Sequence, residues 1–294
     1  MRDPCRAARA WRTAGSRARC AGSGGLKCAA SIGAIEVLRR EGVPIDVVVG
    51  CSGGAIFALW LANDARRDDA ADVFARALGG LFDAIDLRSV ARALLPKVFG
   101  FDPDGALLDD RRLNAVIRAH VGDARLEDAP VPLRIVATDA ATGESVVLSR
   151  GPAFDALRAS LAIPLVLPPW TVGERRLVDG GLSNPLPIDV AIREGADLIV
   201  AMGFEDPIRP EVGSLAEMLA NVTSVTVNQL LRAQFAFHAL AHHAEVIPIM
   251  PEFDRPVGLR ETARIPWLVE RGRIAAEAQV PYLRRLLAAA DATR

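Results

Sequence analysis

The stretch Ile45-Asp-Val-Val-Val-Gly-Cys-Ser-Gly-Gly54 indicates the fold class, because it joins a strand pattern directly to a glycine-rich turn. Residues 45–49 are rich in β-branched side chains, which is typical of a buried strand. Residues 50–54 fit the pattern G-x-S-x-G, and residues 55–62 predict a helix. A strand, a tight turn and a helix in this order predict an α/β fold that presents one side chain at the turn.

Ser52 is the residue that this turn presents. A nucleophile on a sharp strand-to-helix turn has close neighbours, and Gly50, Gly53 and Gly54 leave room for them. The helix that follows points its N-terminal amides at the same place, which favours developing negative charge. We predict that Ser52 is a nucleophile and that Cys51 points away and packs in the core. The alternative is a glycine-rich turn with a buried serine.

The same alternation of helix and strand continues along the chain and predicts a single domain over residues 21–294. The further predicted helices are residues 27–41, 214–243 and 271–289, and the further predicted strands are residues 133–137, 145–148, 177–178, 198–202 and 245–249. Residues 65–121 are mostly helical in pattern. We predict that they form a lid that also touches a membrane surface, with ordinary packing helices as the alternative.

Composition restricts the class of protein and its partners. The chain has 294 residues, 51% of them hydrophobic, which is typical of a globular fold. Its 35 basic and 36 acidic residues nearly cancel and only 5% of residues are aromatic, so nucleic acid is not an expected partner. Cys5, Cys20, Cys28 and Cys51 form no C-x-x-C pair and have no histidine at metal-ligand spacing. They predict unpaired packing residues in a reducing compartment.

The first 20 residues are strongly basic, with six arginines and one acidic residue. They lack the apolar core of a secretory signal, and no stretch of the chain offers about 20 continuous apolar residues. We predict that residues 1–20 are disordered or do not belong to the fold, with a transit peptide as the alternative. The expected location is the cytoplasm, with peripheral contact to a membrane.

A second glycine-rich segment, Gly22-Ser-Gly-Gly-Leu-Lys-Cys28, opens the first predicted helix. Free N–H groups at such a position can hold an anion. The segment fits neither the dinucleotide pattern nor the P-loop pattern. We therefore predict that the amides of Gly24 and Gly25 form an oxyanion hole, each donor contributing roughly 3–4 kcal/mol. Lys27 would orient the loop or attract an anionic head group, and its alternative is a solvated lysine.

Asp179 is the candidate partner of the serine. It ends a predicted strand and precedes Gly180 and Gly181, so its loop can approach another loop closely. A carboxyl group with a reference pKa of about 3.9 is a poor base for a hydroxyl unless it is desolvated and held at hydrogen-bond distance. Two alternatives stay open: a turn aspartate without catalytic role, and a Ser52, Asp179 and His242 triad in the chain order of an α/β-hydrolase.

Together these three segments resemble the patatin-like phospholipases. The resemblance rests on Ser23-Gly-Gly-Leu-Lys27, on the stretch from Ile45 to Gly54 and on Val178-Asp-Gly-Gly-Leu-Ser-Asn-Pro185. It extends through Ala137-Thr-Asp-Ala140 and Ala159-Ser-Leu-Ala-Ile-Pro164, and covers about residues 22–205. Three motifs in the same order are far more specific than any one of them.

The resemblance implies a three-layer α/β/α fold with a mainly parallel central sheet. It implies that Ser52 is the nucleophile, that Asp179 is its base, and that Gly24 and Gly25 form the oxyanion hole, without a catalytic histidine, metal or cofactor. The implied reaction is hydrolysis of acyl chains from phospholipids or neutral glycerolipids through an acyl-enzyme.

Two positions depart from the family pattern. Where the family has G-G-G-x-[KR]-G, this chain has Ser23 in place of the first glycine and Cys28 in place of the last. In addition, residues 14–20 are polar and basic, whereas a central parallel strand is usually apolar along its length. From these departures we expect a weakly anchored oxyanion loop, and a catalytically impaired scaffold becomes a third alternative.

Overall fold

The structure, a computed structural model of the chain, describes residues 16–63, 70–78, 110–241, 244–258 and 260–292. Its strands are β1 (Ser16–Ala21), β2 (Val47–Cys51), β3 (Leu133–Asp139), β4 (Ser145–Leu148), β5 (Trp170–Val172), β6 (Arg175–Asp179), β7 (Ala196–Met202) and β8 (Glu245–Ile249). In these residues they form one eight-stranded sheet in the order β5-β6-β3-β2-β1-β7-β8, with β4 also paired to β3. The pairs among β8, β7, β1, β2 and β3 are parallel, and the others are antiparallel.

Helices cover both faces of this sheet. They are α1 (Ala30–Arg40), α2 (Gly53–Ala62), α3 (Ala70–Leu78), α4 (Arg111–Val121), α5 (Ala153–Ser160), α6 (Ile188–Arg193), α7 (Leu215–Ala241) and α8 (Ile265–Ala292). One core cluster joins α1, α2, α5 and α8 to one face, and a second joins α6 and α7 to the other face. The three-layer α/β/α fold with a mainly parallel sheet is therefore as predicted. None of the described helices is long and apolar enough to cross a membrane.

The local predictions around the decisive stretch are close to the structure. Strand β2 begins two residues later than predicted and runs to Cys51, and α2 begins at Gly53. Strands β4 and β8 have the predicted bounds. Of the predicted lid at residues 65–121, the structure describes α3 and α4, whereas residues 64–69 and 79–109 lie outside the described part of the chain.

The start of the chain differs from the prediction. Residues 16–21 form β1, which pairs with β2 on one side and β7 on the other, so part of the expected leader is a central strand. Ala18 and Cys20 pack in the core beside α6 and α7. This corrects the predicted leader, which extended to residue 20. Its polar composition suggested a weak strand, but pairing on both edges satisfies the backbone whatever the side chains are.

Arg19 is the residue of β1 whose burial is unfavourable in free energy. Its side chain is buried, and neither Nη1 nor Nη2 has a hydrogen-bond partner in the described structure. Burial, together with the nearby charge of Arg39, lowers the pKa of Arg19 to about 9. An uncompensated buried charge is strongly unfavourable, so Arg19 opposes folding at neutral pH.

We predict that Arg19→Leu stabilises the protein by about 1–4 kcal/mol, because it replaces an unpaired buried charge with an apolar side chain. Urea denaturation at pH 7 measures the change in the free energy of unfolding. The matched control is Arg17→Leu on the same strand, where the side chain is half-buried, and there we expect a change within about 0.5 kcal/mol. A loss of stability in Arg19→Leu would contradict this account of β1.

Candidate active site

Ser52 and Asp179 meet at the carboxyl end of the central strands. The Ser52 hydroxyl donates a hydrogen bond of 2.6 Å to Oδ2 of Asp179. Both residues are buried, with 2% and 5% of their surface exposed. Two side chains 127 residues apart in sequence are thus held at the distance over which a proton can be transferred.

The backbone at Ser52 adopts a conformation that few residues other than glycine adopt. Its φ is 54° and its ψ is −131°, and the residue lies between the end of β2 and the first turn of α2. A non-glycine residue in this region costs of order 1–3 kcal/mol and persists only where its surroundings hold it. The strain presents the hydroxyl outward from the turn, as the G-x-S-x-G pattern predicts.

Ser160, at the end of α5, holds this turn in place. The backbone N–H of Ser52 donates to the Ser160 hydroxyl at 2.7 Å, and that hydroxyl donates to the carbonyl oxygen of Val136 in β3 at 2.6 Å. Ser160 is fully buried. Ser160 is not among the predicted site residues. The signal for it is a serine between the apolar residues Ala159 and Leu161, where a buried hydroxyl needs a partner.

The glycines around Ser52 are required by close approach of other segments. A Cβ atom on Gly53 would lie 2.9 Å from the carbonyl oxygen of Gly25. One on Gly54 would collide with the carbonyl oxygen of Gly22, and one on Gly50 would lie 2.6 Å from the first turn of α2. The turn is therefore packed directly against the glycine loop that precedes α1.

The carboxylate of Asp179 is fixed by its own loop. Oδ1 accepts a hydrogen bond of 2.8 Å from the N–H of Gly181, which leaves Oδ2 for the serine. The Asp179 N–H donates to Ala162 and its carbonyl oxygen accepts from Thr138, each at 2.9 Å. A Cβ on Gly180 would collide with the backbone of β3, so this loop also needs its glycine.

Burial changes the pKa of the Asp179 carboxyl group. Desolvation raises the pKa of Asp179 to about 6, against the opposing effect of the hydrogen bonds from Ser52 and Gly181. At pH 7 the group is therefore mostly ionised and can accept a proton. Its pKa is also much closer to neutral than that of an exposed carboxyl group, which improves its match to proton transfer.

The glycine loop lies beside the serine with two amides available. The N–H of Gly22 donates to Met202 at 2.9 Å, and the N–H of Ser23 donates to Pro185 at 2.7 Å. Within the described residues, the N–H groups of Gly24 and Gly25 have no such acceptor. These two amides are the ones for which the sequence predicts an oxyanion hole, and that role stays a prediction.

Cys28, which was expected to weaken the anchoring of this loop, instead contacts it. The Cys28 side chain is fully buried, and its thiol donates to the carbonyl oxygen of Gly22 at 3.5 Å. Burial raises the pKa of that thiol, so it stays neutral. Cys51, as expected, packs in the core on the α6 and α7 side of the sheet.

Lys27 is buried rather than solvated. Its Nζ lies 2.5 Å from Oδ1 of Asp206, and only 5% of the lysine side chain is exposed. The backbone of Asp206 in turn exchanges two hydrogen bonds with the side chain of Asn228 on α7, at 3.0 and 2.8 Å. Lys27 therefore ties the glycine loop to the segment after β7 and to α7. Neither Asp206 nor Asn228 was among the predicted site residues.

Two of the four histidines, His120 and His238, lie in the described part of the chain. His120 donates to the carbonyl oxygen of Val116 in its own helix at 2.7 Å, and His238 packs edge-on against Phe237 in α7. His242, the third member of the alternative triad, lies outside the described residues. In the described part of the chain, no group of three or more His, Cys, Asp or Glu side chains could hold a metal ion.

Comparison with known proteins gives consistent matches. A family model described as patatin-like phospholipase matches residues 20–192. An uncharacterized NTE family protein of Mycobacterium tuberculosis is 35% identical over 215 residues, which are 73% of this chain and 55% of that protein. The neuropathy target esterase sws of Drosophila melanogaster is 29% identical over 195 residues, which are 65% of this chain and 13% of that protein. The chain thus spans about half the length of the mycobacterial relatives it matches.

Among solved structures, VipD from Legionella pneumophila is similar over 92% of this chain and 67% of that chain. The TM-score is 0.47 and the sequence identity is 13%.

We predict that the rate at which a fluorophosphonate labels Ser52 follows the ionisation of Asp179. The rate should rise about tenfold for each pH unit below a midpoint near 6 and level off above it, because the hydroxyl reacts when its base is ionised. Peptide mapping identifies the labelled residue, and circular dichroism at each pH checks the fold. A midpoint near 4, as for an exposed carboxyl group, would contradict the effect of burial.

We predict that Ser160→Ala slows this labelling roughly 10- to 100-fold, because the N–H of Ser52 loses its acceptor. Stability should fall by about 1–3 kcal/mol, the cost of a buried donor left without a partner. The matched control is Ser31→Ala, which removes another buried serine hydroxyl, one without a hydrogen-bond partner in the described residues. It should leave the labelling rate unchanged. Equal effects of the two variants would remove the positioning role from Ser160.

Proposed function

Because this chain belongs to the patatin-like phospholipase family, we propose that it hydrolyses carboxylic esters of lipids with Ser52 as nucleophile and Asp179 as general base. The observation that carries the proposal is the 2.6 Å hydrogen bond from the Ser52 hydroxyl to Oδ2 of Asp179. The buried pair has the geometry of a nucleophile and its base, and the family supplies the substrate class.

The reaction has two halves that use the same groups. In the first, Asp179 takes the proton of the Ser52 hydroxyl as its oxygen attacks the ester carbonyl carbon. The negative charge that forms on the carbonyl oxygen is held by the N–H groups of Gly24 and Gly25. The C–O bond to the alcohol then breaks, the alcohol leaves with the proton from Asp179, and Ser52 keeps the acyl group. In the second half, Asp179 takes a proton from a water molecule as that water attacks the acyl carbon, and the same amides hold the oxyanion. The bond between the acyl carbon and the Ser52 oxygen then breaks, Asp179 returns the proton to Ser52, and the carboxylic acid leaves.

The pKa of Asp179 suits this double role. The residue must accept a proton and then give it to the leaving alcohol, so a value between those of a free carboxyl group and an alcohol serves both steps. Burial, which raises its pKa to about 6, moves it in that direction. The N–H of Gly181 holds Oδ1 and keeps the carboxylate oriented while its protonation changes.

The substrate class rests on the family and on the surface near the site. The relative sws is called an esterase, and the matching family is one of phospholipases. Leu182 lies three residues after Asp179 and is 46% exposed, and Leu165, close to the segment that contacts the Asp179 N–H, is 53% exposed. Exposed leucines near a buried dyad favour an apolar acyl group over a polar one.

The two alternative functions fit the geometry less well. In a triad, an imidazole ring stands between the serine and the acid. A separation of 2.6 Å between Ser52 Oγ and Asp179 Oδ2 leaves no room for one. A non-catalytic scaffold would not need a serine with a strained backbone that is hydrogen-bonded to a buried carboxylate. Nor would it need, beside that serine, the N–H groups of Gly24 and Gly25 without a backbone acceptor in the described residues. We also propose that the acyl hydrolase domain is a single unit that includes β1 in addition to residues 21–294.

We predict that Ser52→Ala and Asp179→Asn each lower the hydrolysis of p-nitrophenyl butyrate and of phosphatidylcholine by at least about 10³-fold, because each removes half of a cooperating pair. His242→Ala and His243→Ala should keep their activity. Full activity in Ser52→Ala would end the dyad mechanism, and loss of activity in His242→Ala with an active Asp179→Asn would favour the triad.

Stability provides the control for these variants. The pKa of Asp179 is raised on folding from its ordinary value of 3.8, so its contribution to stability is fully present below that value and is lost as the pH rises through about 6. At pH 8 the ionised group therefore opposes folding. Asp179→Asn should unfold at the same temperature as the parent protein or a higher one at this pH, so its inactivity would not be a folding defect.

A further inference from the structure

The first half of α7 is an apolar helix that is not buried. No residue from 217 to 227 is buried, although this stretch contains mostly apolar side chains. Its large exposed hydrophobic residues, with two from the segment before the helix, are Ile208, Val212, Met218, Leu219, Val222 and Val225, each at least 43% exposed. We refer to these six residues as the apolar ridge. Isolated exposed hydrophobic residues are common, but a contiguous set of this kind marks an interaction surface.

Helix α7 is amphipathic, but its apolar face points to solvent and its polar face points to the protein. Met218, Val222 and Val225 follow the spacing of one helix face and point to solvent. The opposite face is polar and holds α7 to the protein. On that face the Asn221 side chain exchanges two hydrogen bonds with the backbone of Arg209, at 3.2 and 2.8 Å.

Two further residues of this polar face contact Asp206. The Ser224 hydroxyl donates to the Asp206 carboxylate at 3.4 Å, and Asn228 exchanges hydrogen bonds with its backbone. Polar contacts therefore turn the apolar side of α7 outward, which is the reverse of a helix that covers a core.

The apolar ridge lies at the edge of the sheet that carries the dyad. Gly203 follows directly after β7, and a Cβ placed there would lie 3.3 Å from the Leu231 side chain, so that part of α7 stands beside the carboxyl end of β7. Because α7 returns the chain to the parallel strand β8, its earlier residues extend beyond this edge. At 1.5 Å per residue, Met218 stands about 20 Å farther along the helix than Leu231.

The same helix contacts both loops of the site. Asn228 holds Asp206, which pairs with Lys27 on the oxyanion loop. Gln234 donates to Oδ1 of Asn184 at 2.6 Å, and the N–H of Asn184 donates to Gly180, the residue after Asp179. The apolar ridge is thus tied by short polar contacts to the two segments that surround the dyad.

The chemistry of the exposed face favours hydrocarbon as its partner. Residues 218–231 include no charged side chain, which gives a protein partner no ion pair to form. The hydroxyls of Thr223 and Thr226 donate to the carbonyl oxygens of Leu219 and Val222 in their own helix, at 2.9 Å each. These donors are already satisfied, so the face can leave water without an unpaired hydroxyl.

We propose that the apolar ridge inserts into the surface of a lipid bilayer and holds the Ser52 and Asp179 site against it. The inference rests on the proposed function for the presence of a lipid substrate, and it names the surface that meets that substrate. The helix lies in the interface rather than crossing the bilayer. Arg209 and Glu211, which lie between Ile208 and Val212, carry opposite charges, so binding depends on apolar contact and neither requires anionic lipid nor weakens with salt.

The test is binding of the full chain to vesicles of pure phosphatidylcholine, measured by flotation at low and high salt. We expect the parent protein to bind equally at both salt concentrations, and Val222→Asp to lower the partition coefficient at least tenfold. The matched control is Leu240→Asp, which changes an 80% exposed leucine near the other end of the same helix. It should bind as the parent protein does. Ser52→Ala should also bind normally, so binding is scored separately from catalysis.

Activity separates this inference from the proposed function. Val222→Asp should hydrolyse soluble p-nitrophenyl butyrate at the parent rate and vesicle phosphatidylcholine at least tenfold more slowly. Normal vesicle binding by Val222→Asp, or no binding by the parent protein, would overturn the inference while leaving the dyad intact. So would sedimentation that shows a parent dimer made monomeric by Val222→Asp with vesicle binding unchanged, because the ridge would then meet a second copy. A parent protein that binds vesicles but hydrolyses no ester would overturn the proposed function alone.

Discussion

The hydrogen bond between Ser52 and Asp179 is the constraint on which the arrangement of the site depends. Ser52 directly follows β2 and Asp179 ends β6, and these two strands are not neighbours, because β3 lies between them. Cys51 is opposite Val136 on one edge of β3, and Asp179 is opposite Ala137 on the other. Consecutive residues of one central strand therefore set the distance between the Ser52 hydroxyl and the Asp179 carboxylate. Any slip in the register of β3 would separate them, since each step along a strand moves a side chain by about 3.3 Å.

Close approach of three loops allows the short hydrogen bond between Ser52 and Asp179 and also raises the pKa of Asp179. Gly53 and Gly181 lie where a Cβ would meet the neighbouring loop, so the segments can come together with little space between them. The same packing removes water from the carboxylate, and burial is the main reason that the pKa of Asp179 rises to about 6. A looser site would lengthen the hydrogen bond and would also lower the pKa of Asp179. Geometry and acidity are therefore two results of one packing arrangement.

Local patterns in the sequence gave good predictions where the structure is locally determined. Strand β2, the turn at Ser52 and helix α2 follow from a β-branched run and spaced glycines. The prediction of Asp179 as the partner of Ser52 had less local support, because an aspartate before two glycines is common in turns. It depended mainly on the family resemblance. Ser160 and Asp206 were missed, because their partners are 108 and 179 residues away and no local period records such contacts.

The two remaining differences come from tertiary contacts that outweigh composition. Strand β1 has the side chains of a solvated segment, yet pairing on both edges makes it central and buries Arg19. Helix α7 shows the opposite case: its period predicts a helix, but not which face is inward. Its asparagines face the protein because they satisfy the backbone of the segment that presents Asp206 to Lys27. The contacts that hold the glycine loop before α1 are thus the same ones that turn the polar face of α7 toward the protein and leave its apolar face in solvent.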